Sequence, residues 1–297
     1  MVNNWDHITA IAFWEESGGK KVNTQQLELR QVSVLYSDPG GAKKRHLLVE
    51  INLTIRQGEW LQIAGANGSG KSTLVKLLTG QLGRHCIVEG SVIKGFVGER
   101  PIPYVLQHPE AGILGATPWE DVLLGLEQRG VDQQGLNTML PEVLKQTGLT
   151  SLLHEPVARM SGGQKQLTAM ASVLAAKPPM LVLDEPTSML DPEGRAEVLA
   201  VVRELNRAGM TVVWVTHRQQ EWEPGDRILA LQGGRLIFDG RPEGFYTVAE
   251  GETQSPCERM DWNPPYAVQT ALALQERGLR LTPLPLNAAQ LAEAVSR

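Results

Sequence analysis

The 297-residue sequence predicts an α/β fold built around a parallel β-sheet. Two short apolar runs, at 180–183 and 211–215, are separated by a helical segment at 192–208. Continuous apolar strands that alternate with helices are typical of parallel sheets covered on both faces. A third observation is a short strand at 60–64 that leads through a glycine-rich loop into a helix at 72–79. Such a loop at the end of a buried strand is a candidate binding element.

Other elements precede and follow this unit. Hydrophobic residues alternate with polar ones along 27–36 and 47–55, which predicts two half-buried strands joined by a turn. A buried strand is predicted at 104–106, a mostly helical region at 115–158, and a long helix at 161–176.

Two glycines near the end of the sheet region predict one more supersecondary unit. Gly233 and Gly234 lie between two short apolar strands, at 227–231 and 235–238. A glycine pair in this position is a hairpin signal, because tight hairpin turns need residues with positive φ. We therefore expect an antiparallel pair of strands there.

Composition restricts the class of protein. Lys and Arg number 28 and Asp and Glu number 33, and the resulting net charge of −5 argues against a general polyanion binder, so we expect no nucleic acid partner. Cys86 and Cys257 lie far apart without further ligands nearby, which fits neither a zinc site nor a disulfide framework. No apolar run approaches the roughly 18 residues of a membrane helix. We expect an intracellular protein without a secretory signal, which leaves work at a membrane through partners open.

The segment GANGSGKS, residues 65–72, carries the strongest chemical signal. It matches the pattern G-x-x-x-x-G-K-[ST] between a strand and a helix. Its glycines allow the backbone to curl so that N–H groups point at phosphates, and the helix N-terminus adds partial positive charge. We expect Lys71 to bind the β- and γ-phosphates and Ser72 to bind Mg²⁺.

Two carboxylates end a buried strand further along. In MLVLDE, Asp184 is placed to hold Mg²⁺ through water, and Glu185 is placed to act as general base toward a water molecule. Such a pair alone is commonplace and is usually a solvated turn. Together with the phosphate loop, it predicts a nucleotide site.

The tetrapeptide SGGQ opens the long helix at 161–176. Ser161 is a helix N-cap candidate, and the two glycines leave backbone N–H groups free. It is interpreted either as an ordinary cap or as a site for phosphate of another subunit's nucleotide.

With these three motifs in order, the sequence resembles the ATP-binding cassette (ABC) ATPases over about residues 27–238. The match rests on an ordered set of motifs. Beside GANGSGKS these are Gln107 in YVLQHP (Q-loop), MSGGQ (signature), LVLDEP (Walker B), SMLD at 188–191 (D-loop), His217 in VTH (switch histidine) and Tyr36, which matches the adenine-stacking aromatic.

The resemblance implies a P-loop NTPase with a mixed or parallel core sheet, an antiparallel β subdomain and an inserted α-helical subdomain. It divides the chain into an extension at 1–26, a cassette at 27–240 and a tail at 241–297, which includes a short predicted helix at 288–295. The helical subdomain is expected at about 110–176. A short apolar patch in the extension fits either a packed helical turn or a loosely held segment.

The resemblance also implies a head-to-tail dimer with two ATP molecules between the phosphate loop of one subunit and the signature of the other. The expected ATP-binding residues within one subunit are Tyr36, Gly65, Asn67, Gly68, Ser69, Gly70, Lys71, Ser72 and Thr73. Those expected to act in trans are Ser161, Gly162, Gly163, Gln164 and Asp191. The expected Mg²⁺ ligands are Ser72, Gln107 and Asp184, and the expected catalytic residues are Glu185, His217, Lys71 and Gln107.

Three segments resemble one branch of the family, the ATPase subunits of energy-coupling-factor (ECF) transporters. These are the stretch QHPEAGILGATPWEDVLLGL that begins at Gln107, the stretch GLTSLLHEPVARMSGGQKQ that runs into the signature, and the proline-marked tail. The branch implies a second ATPase subunit, identical or related, an integral membrane coupling protein, and a small membrane protein that captures a vitamin or a transition-metal ion. The chain is then expected at the cytoplasmic face of the cell membrane.

Three alternatives remain open from the sequence. The first is the ATPase of an ordinary binding-protein-dependent importer, for which the same motifs suffice. The second is a non-transport ABC protein that acts on DNA ends, ribosomes or iron–sulfur assembly. The third is a P-loop kinase, which would lack SGGQ and a switch histidine.

Overall fold

The computed structural model describes residues 25–38, 44–98, 102–105 and 109–296. Gln107 and nearly all of the N-terminal extension, including its apolar patch, lie outside the described residues. The strands are β1 (Gln26–Ser37), β2 (Lys44–Arg56), β3 (Trp60–Gly65), β4 (Cys86–Ile93), β5 (Tyr104–Val105), β6 (Met180–Asp184), β7 (Thr211–Val215), β8 (Arg227–Gln232) and β9 (Arg235–Gly240). The helices are α1 (Lys71–Thr79), α2 (Pro118–Glu127), α3 (Gln133–Gln146), α4 (Gly162–Leu174), α5 (Pro192–Arg207), α6 (Pro242–Tyr246), α7 (Pro256–Arg259), α8 (Tyr266–Glu276) and α9 (Ala288–Val295).

A six-stranded sheet in the order β5-β6-β7-β3-β8-β9 forms the core. The first five strands are parallel to their neighbours, and β9 is antiparallel to β8 across the predicted Gly233-Gly234 hairpin. The predicted α/β class with a mixed core sheet is confirmed. The carboxyl ends of β3, β6 and β7 lie at one edge of this sheet, where ligand sites of parallel sheets form.

A second sheet is three-stranded and antiparallel, in the order β2-β1-β4. Its apolar face and the face of the core sheet that carries α1 enclose one hydrophobic cluster, which includes Leu48, Ile63, Leu74 and Val182. The third strand, β4, is absent from the sequence expectations. Its side chains are mostly half-exposed, so the sequence there lacks the apolar alternation by which strands are recognised.

Helices α2, α3 and α4 lie between β5 and β6 in the chain and pack over the other face of the core sheet. Their cluster includes Leu126, Leu140 and Met170, together with Leu183 and Trp214 of the sheet. This arrangement agrees with the mostly helical region that the sequence predicts.

The C-terminal helices pack on the outer part of the core sheet. Phe245, Val268 and Leu284 share a buried cluster with Ala64 of β3 and Ala230 of β8. The C-terminal segment therefore shares a hydrophobic core with β3 and β8. Among the described residues no helix combines the length and apolarity needed to cross a membrane.

Candidate functional site

The loop between β3 and α1 has a backbone shape that depends on glycine. Gly70 caps α1 with φ of +109°, a conformation that costs other residues strain. A Cβ there would also lie 2.9 Å from Leu48 Cδ2 and 3.1 Å from the Leu47 carbonyl oxygen. The loop thus lies directly against β2, and the first turn of α1 faces the open space beside the loop.

A second glycine locks the β8–β9 hairpin onto this loop. The N–H of Gly234 donates to the Ser69 carbonyl at 2.9 Å, and its own carbonyl accepts from the Val49 N–H at 2.8 Å. Gly234 has φ of +77°, and a Cβ would lie 2.7 Å from the Leu47 carbonyl oxygen. The hairpin turn therefore joins the phosphate-loop segment to the second sheet.

These elements surround a cavity of about 680 Å³ at the N-terminus of α1. Its lining residues are Arg45, His46, Leu47, Asn67, Gly68, Ser69, Gly70, Lys71, Ser72, Thr73, Asp184, Glu185, Gly233 and Gly234. The structure brings the loop residues and both strand-end carboxylates to this one space, as the sequence predicts. It adds two walls that the sequence reasoning missed, one from β2 and one from the hairpin.

Lys71 lies at the base of the cavity and is only 7% exposed. Its Nζ donates to the carbonyl oxygens of Gly65 at 2.8 Å and Ala66 at 3.2 Å. Burial lowers the pKa of the Lys71 ammonium, while the negative charges of Glu185 and Asp184 act in the opposite direction. In this state the ammonium is satisfied by the loop's own backbone.

Asp184 stands at the end of β6 and is oriented by a tyrosine. The hydroxyl of Tyr104 donates to Asp184 Oδ2 at 2.7 Å. Burial raises the pKa of Asp184, and the hydrogen bond from Tyr104 and the charge of Lys71 oppose that shift. Burial and the neighbouring carboxylate raise the pKa of the Tyr104 hydroxyl above its usual range, so it remains a donor. No sequence motif predicts a site role for Tyr104.

Glu185 follows in a conformation that side chains rarely adopt, with φ of +48°. Its N–H donates to the Val215 carbonyl at 2.9 Å, and its carbonyl accepts from the Ser188 hydroxyl at 2.9 Å. Its Oε1 lies 3.2 Å from His217 Nδ1, and the His217 side chain is about half-exposed. The structure therefore brings the predicted base and the predicted switch histidine into contact.

The donor set of the cavity fits a nucleotide phosphate with Mg²⁺. A helix N-terminus and one lysine face two carboxylates, and the buried Ser69 hydroxyl oxygen has no hydrogen-bond partner in the part of the chain that the structure describes. Within the described ranges, no cluster of three or more His, Cys, Asp or Glu residues could hold a metal by itself. Mg²⁺ is commonly held by one or two protein oxygens together with substrate phosphates and water, which matches this arrangement.

The signature residues lie elsewhere on the molecule. Ser161 and Gln164 form a reciprocal capping box at the start of α4, and Asp191 caps α5 through the N–H of Gly194 at 2.8 Å. Gly163 is buried and lies close to Gly194. None of the signature residues, nor Asp191, lines the cavity. The cap interpretation of SGGQ is confirmed, and a role in trans stays a prediction.

Tyr36 lies at the end of β1, where it pairs with Arg45 of β2. Its ring makes an edge-on contact with His85 at a centroid distance of 6.2 Å. Arg45, rather than Tyr36, is among the residues that line the cavity. The adenine-stacking role of Tyr36 stays a prediction, as does every role expected of Gln107.

Comparison with known proteins gives consistent matches. The family model described as ABC transporter matches residues 48–188. The energy-coupling factor transporter ATP-binding protein EcfA1 of Halalkalibacterium halodurans is 37% identical over 281 residues, covering 91% of this chain and 96% of that protein. EcfA1 of Symbiobacterium thermophilum is 40% identical over 266 residues, covering 86% of this chain and 90% of that protein.

Solved structures agree with these relatives. CbiO1 from Clostridium perfringens, described as part of the ABC transporter complex cbiONQ, has a TM-score of 0.64 and 31% identity over 73% of this chain and 88% of that chain. The ATP-binding cassette MJ0796, as a dimer in a post-hydrolysis state bound to ADP and Pi, has a TM-score of 0.59 and 28% identity. It covers 74% of this chain and 100% of that chain.

These matches confirm the predicted fold class, the predicted ATP ligand and the predicted activity, an ATPase coupled to transport. A P-loop kinase is thereby excluded. The chain belongs to the ABC transporter ATPase family and, within it, is similar over most of its length to the ATP-binding proteins of energy-coupling factor transporters.

Proposed function

We propose that this chain powers an ECF-type importer by hydrolysing ATP at the cytoplasmic face of the cell membrane, so that separate membrane subunits take up a vitamin or a transition-metal ion. The observation that carries the proposal is the cavity at the N-terminus of α1, where Lys71, Asp184 and Glu185 converge from distant parts of the chain. The named relatives support the branch of the family.

ATP phosphates are expected to occupy the loop at 65–73, because its N–H groups and the α1 terminus favour anions. Lys71 then exchanges the carbonyls of Gly65 and Ala66 for phosphate oxygens. The exchange is favourable because the ammonium is buried and gains a formal negative charge as its partner. We assign Tyr36 to the adenine ring on the family pattern alone.

The residues assigned to Mg²⁺ are Ser72, Asp184 and Gln107, of which the first two line the cavity. When bound, Mg²⁺ supplies positive charge to the β- and γ-phosphates. Tyr104 donates its hydrogen bond to Oδ2 of the Asp184 carboxylate, so Oδ1 remains available for the ion or its water.

Glu185 is assigned as general base for the attacking water. The backbone bonds to Val215 and Ser188 hold its strained conformation, so that the carboxylate projects at the cavity. His217 Nδ1 contacts this carboxylate, which leaves the other ring nitrogen for the γ-phosphate. Water attacks the γ-phosphate, its proton passes to Glu185, and the bond to ADP breaks, so the proton transfer takes place next to the histidine that would hold the γ-phosphate.

The signature completes the site from a second subunit, identical or related. Ser161, Gly162, Gly163, Gln164 and Asp191 stand away from the cavity of their own chain, and the dimeric form of the similar cassette MJ0796 supports their use in trans. The cassette is assigned to residues 27–240, with its helical subdomain at 110–176. We assign the segment after Gln107 to contact with the membrane coupling protein.

The test is reconstitution of the full chain with the membrane proteins that copurify with it. ATP in the vesicle compartment facing this chain is expected to drive uptake without any soluble binding protein, and a complex carrying Lys71→Met is expected to be inactive. Uptake that requires a soluble binding protein would instead identify an ordinary importer. Failure of the chain to copurify with any membrane protein would contradict a transport role.

A further inference from the structure

A tyrosine on the edge strand β5 reaches the carboxylate that the proposed function assigns to Mg²⁺. Tyr104 pairs with Val182 of β6, and the next pair joins Val105 to Leu183. The Tyr104 side chain extends past these pairs, and its hydroxyl donates to Asp184 Oδ2 at 2.7 Å. On its other side Asp184 pairs with Val215 of β7.

The tyrosine ring is held in place by the core. It packs against the cluster between the two sheets, which includes Leu74 and Leu78 of α1 and Val182 of β6. A hydroxyl on a packed ring has few alternative positions, because rotation of χ1 or χ2 would move the ring into its neighbours. The donor is therefore directed at Asp184 before any ligand arrives.

Lys71, the neighbouring cation, does not orient the Asp184 carboxylate in the free protein. Lys71 Nζ is bonded to the carbonyls of Gly65 and Ala66. Among the described residues, no hydrogen bond other than that from Tyr104 reaches the Asp184 carboxylate. A neutral donor orients the carboxylate and leaves its negative charge available, whereas a lysine in contact would compete with a metal ion.

We propose that Tyr104 is a positioning residue, whose hydroxyl fixes the Asp184 carboxylate so that its second oxygen serves the divalent cation of the bound nucleotide. The inference rests on the proposed function, since it presumes that Asp184 serves Mg²⁺. Carboxylate oxygens hold Mg²⁺ in a narrow geometry, so the orientation of the carboxylate affects affinity. The hydroxyl acts before the metal binds and takes no part in the chemical step.

The test measures metal affinity without turnover. The full chain is saturated with a non-hydrolysable ATP analogue, and Mn²⁺ binding to the complex is followed by electron paramagnetic resonance. Tyr104→Phe keeps the ring and removes the hydroxyl, and it is expected to weaken Mn²⁺ binding about ten-fold, the size of one hydrogen bond to a charged group. Analogue binding in EDTA is expected to stay as in the wild type.

Tyr246→Phe is the matched control. Tyr246 is a buried tyrosine whose hydroxyl, like that of the partly buried Tyr104, donates a hydrogen bond. Its acceptor is Gln219 Oε1 at 2.8 Å, in the cluster formed by the C-terminal helices. It is expected to leave Mn²⁺ affinity unchanged. A similar loss in both variants would show a general structural effect and overturn the proposal.

Asp184→Asn separates this inference from the proposed function. If Asp184→Asn binds Mn²⁺ as the wild type does, the metal role of Asp184 is wrong and the inference is overturned with it. If Asp184→Asn loses the metal and Tyr104→Phe keeps full affinity, only the role of Tyr104 is overturned. Loss of analogue binding in EDTA by Tyr104→Phe would also overturn it, because the tyrosine would then support the fold of the site in general.

Discussion

Replacement of Lys71 by methionine separates the stability of the free protein from the stability that ATP confers. In the free protein, the change removes two hydrogen bonds, to Gly65 and Ala66, each worth about 1.5–3 kcal/mol for a charged donor. It also removes a buried charge, whose cost is evident because burial lowers the pKa of Lys71. Because these effects oppose each other, we expect the midpoint of thermal unfolding without ATP to change by only about 4 °C or less.

ATP is expected to distinguish the two proteins clearly. At a nucleotide concentration of about 100 times Kd, ATP adds about 2.7 kcal/mol to the wild type, or roughly 5–10 °C. Loss of a charged phosphate contact worth about 2–3 kcal/mol weakens affinity roughly 30–150-fold. The variant should therefore retain a shift of only about 1–3 °C at the same concentration.

The assay is differential scanning fluorimetry with and without ATP and Mg²⁺. Lys76→Met is the control, because Lys76 is exposed on the same helix and does not line the cavity. It should keep the wild-type ATP shift. Lys71→Met with the full ATP shift would refute the placement of the phosphates.

The contribution of Lys71 to stability depends on pH with a defined sign. Between the lowered pKa of Lys71 in the folded protein and its ordinary value of 10.5, the unfolded chain binds more protons than the folded chain. The contribution of Lys71 to the free energy of unfolding therefore rises with pH over that range.

Two further predictions concern a buried ion pair and the hairpin turn that lines the cavity. Asp226 accepts two short hydrogen bonds from the buried guanidinium of Arg203, and Asp226→Asn removes its negative charge. This variant should lower the free energy of unfolding, measured in urea, by about 3 kcal/mol or more. The control Glu50→Gln, at an exposed ion pair, should lower it by about 1 kcal/mol or less. Equal losses of unfolding free energy in the two variants would show that burial does not determine the cost of breaking an ion pair. Gly234→Ala places a methyl group against the Leu47 carbonyl of β2 and should weaken both ATP binding and stability. The control Gly251→Ala is also at positive φ but in open space, so it should lower the free energy of unfolding by only about 1 kcal/mol of backbone strain. Unchanged ATP affinity in Gly234→Ala would show that the hairpin does not support the loop.

Local sequence patterns were sufficient for most of the core sheet. The strands β6 and β7 are apolar throughout because both faces are covered, so their sequences are distinct from those of loops. The strand β4 lacks this signal because most of its side chains are half-exposed, and Gly90 sits where a Cβ would lie 2.4 Å from the Gln31 carbonyl oxygen. Its place in the sheet follows from pairing with β1, which sequence alone does not reveal.

The residues of the candidate site likewise divide into those with a local sequence signal and those without one. Lys71, Asp184 and Glu185 were predicted because each lies in a contiguous motif whose chemistry is readable. The cavity walls from Arg45 and from the Gly233-Gly234 turn depend on how two sheets meet, and the bond from Tyr104 to Asp184 depends on strand order. Such contacts between distant segments have no local signature.

The packing of the tail was likewise beyond the sequence patterns. The short helix predicted at 288–295 is confirmed as α9, with the same bounds. That Phe245, Cys257 and Val268 complete a cluster on β8 follows from the tertiary fold. In that cluster, burial raises the pKa of the Cys257 thiol to about 12, which agrees with a packing role for this cysteine.

In the proposed function, two cassettes bind ATP between them and Glu185 acts as the base in its hydrolysis. The most direct measurement is the molar mass of the full-length Glu185→Gln protein by light scattering, with and without ATP, alongside its hydrolysis rate. If the partner is an identical chain, the mass should double with ATP while hydrolysis falls by at least about a hundred-fold. If the partner is a related chain, the same doubling should appear only when that chain is added. Undiminished hydrolysis would contradict the role of Glu185 as base, and a monomer with ATP under both conditions would contradict an ATP site shared between two cassettes.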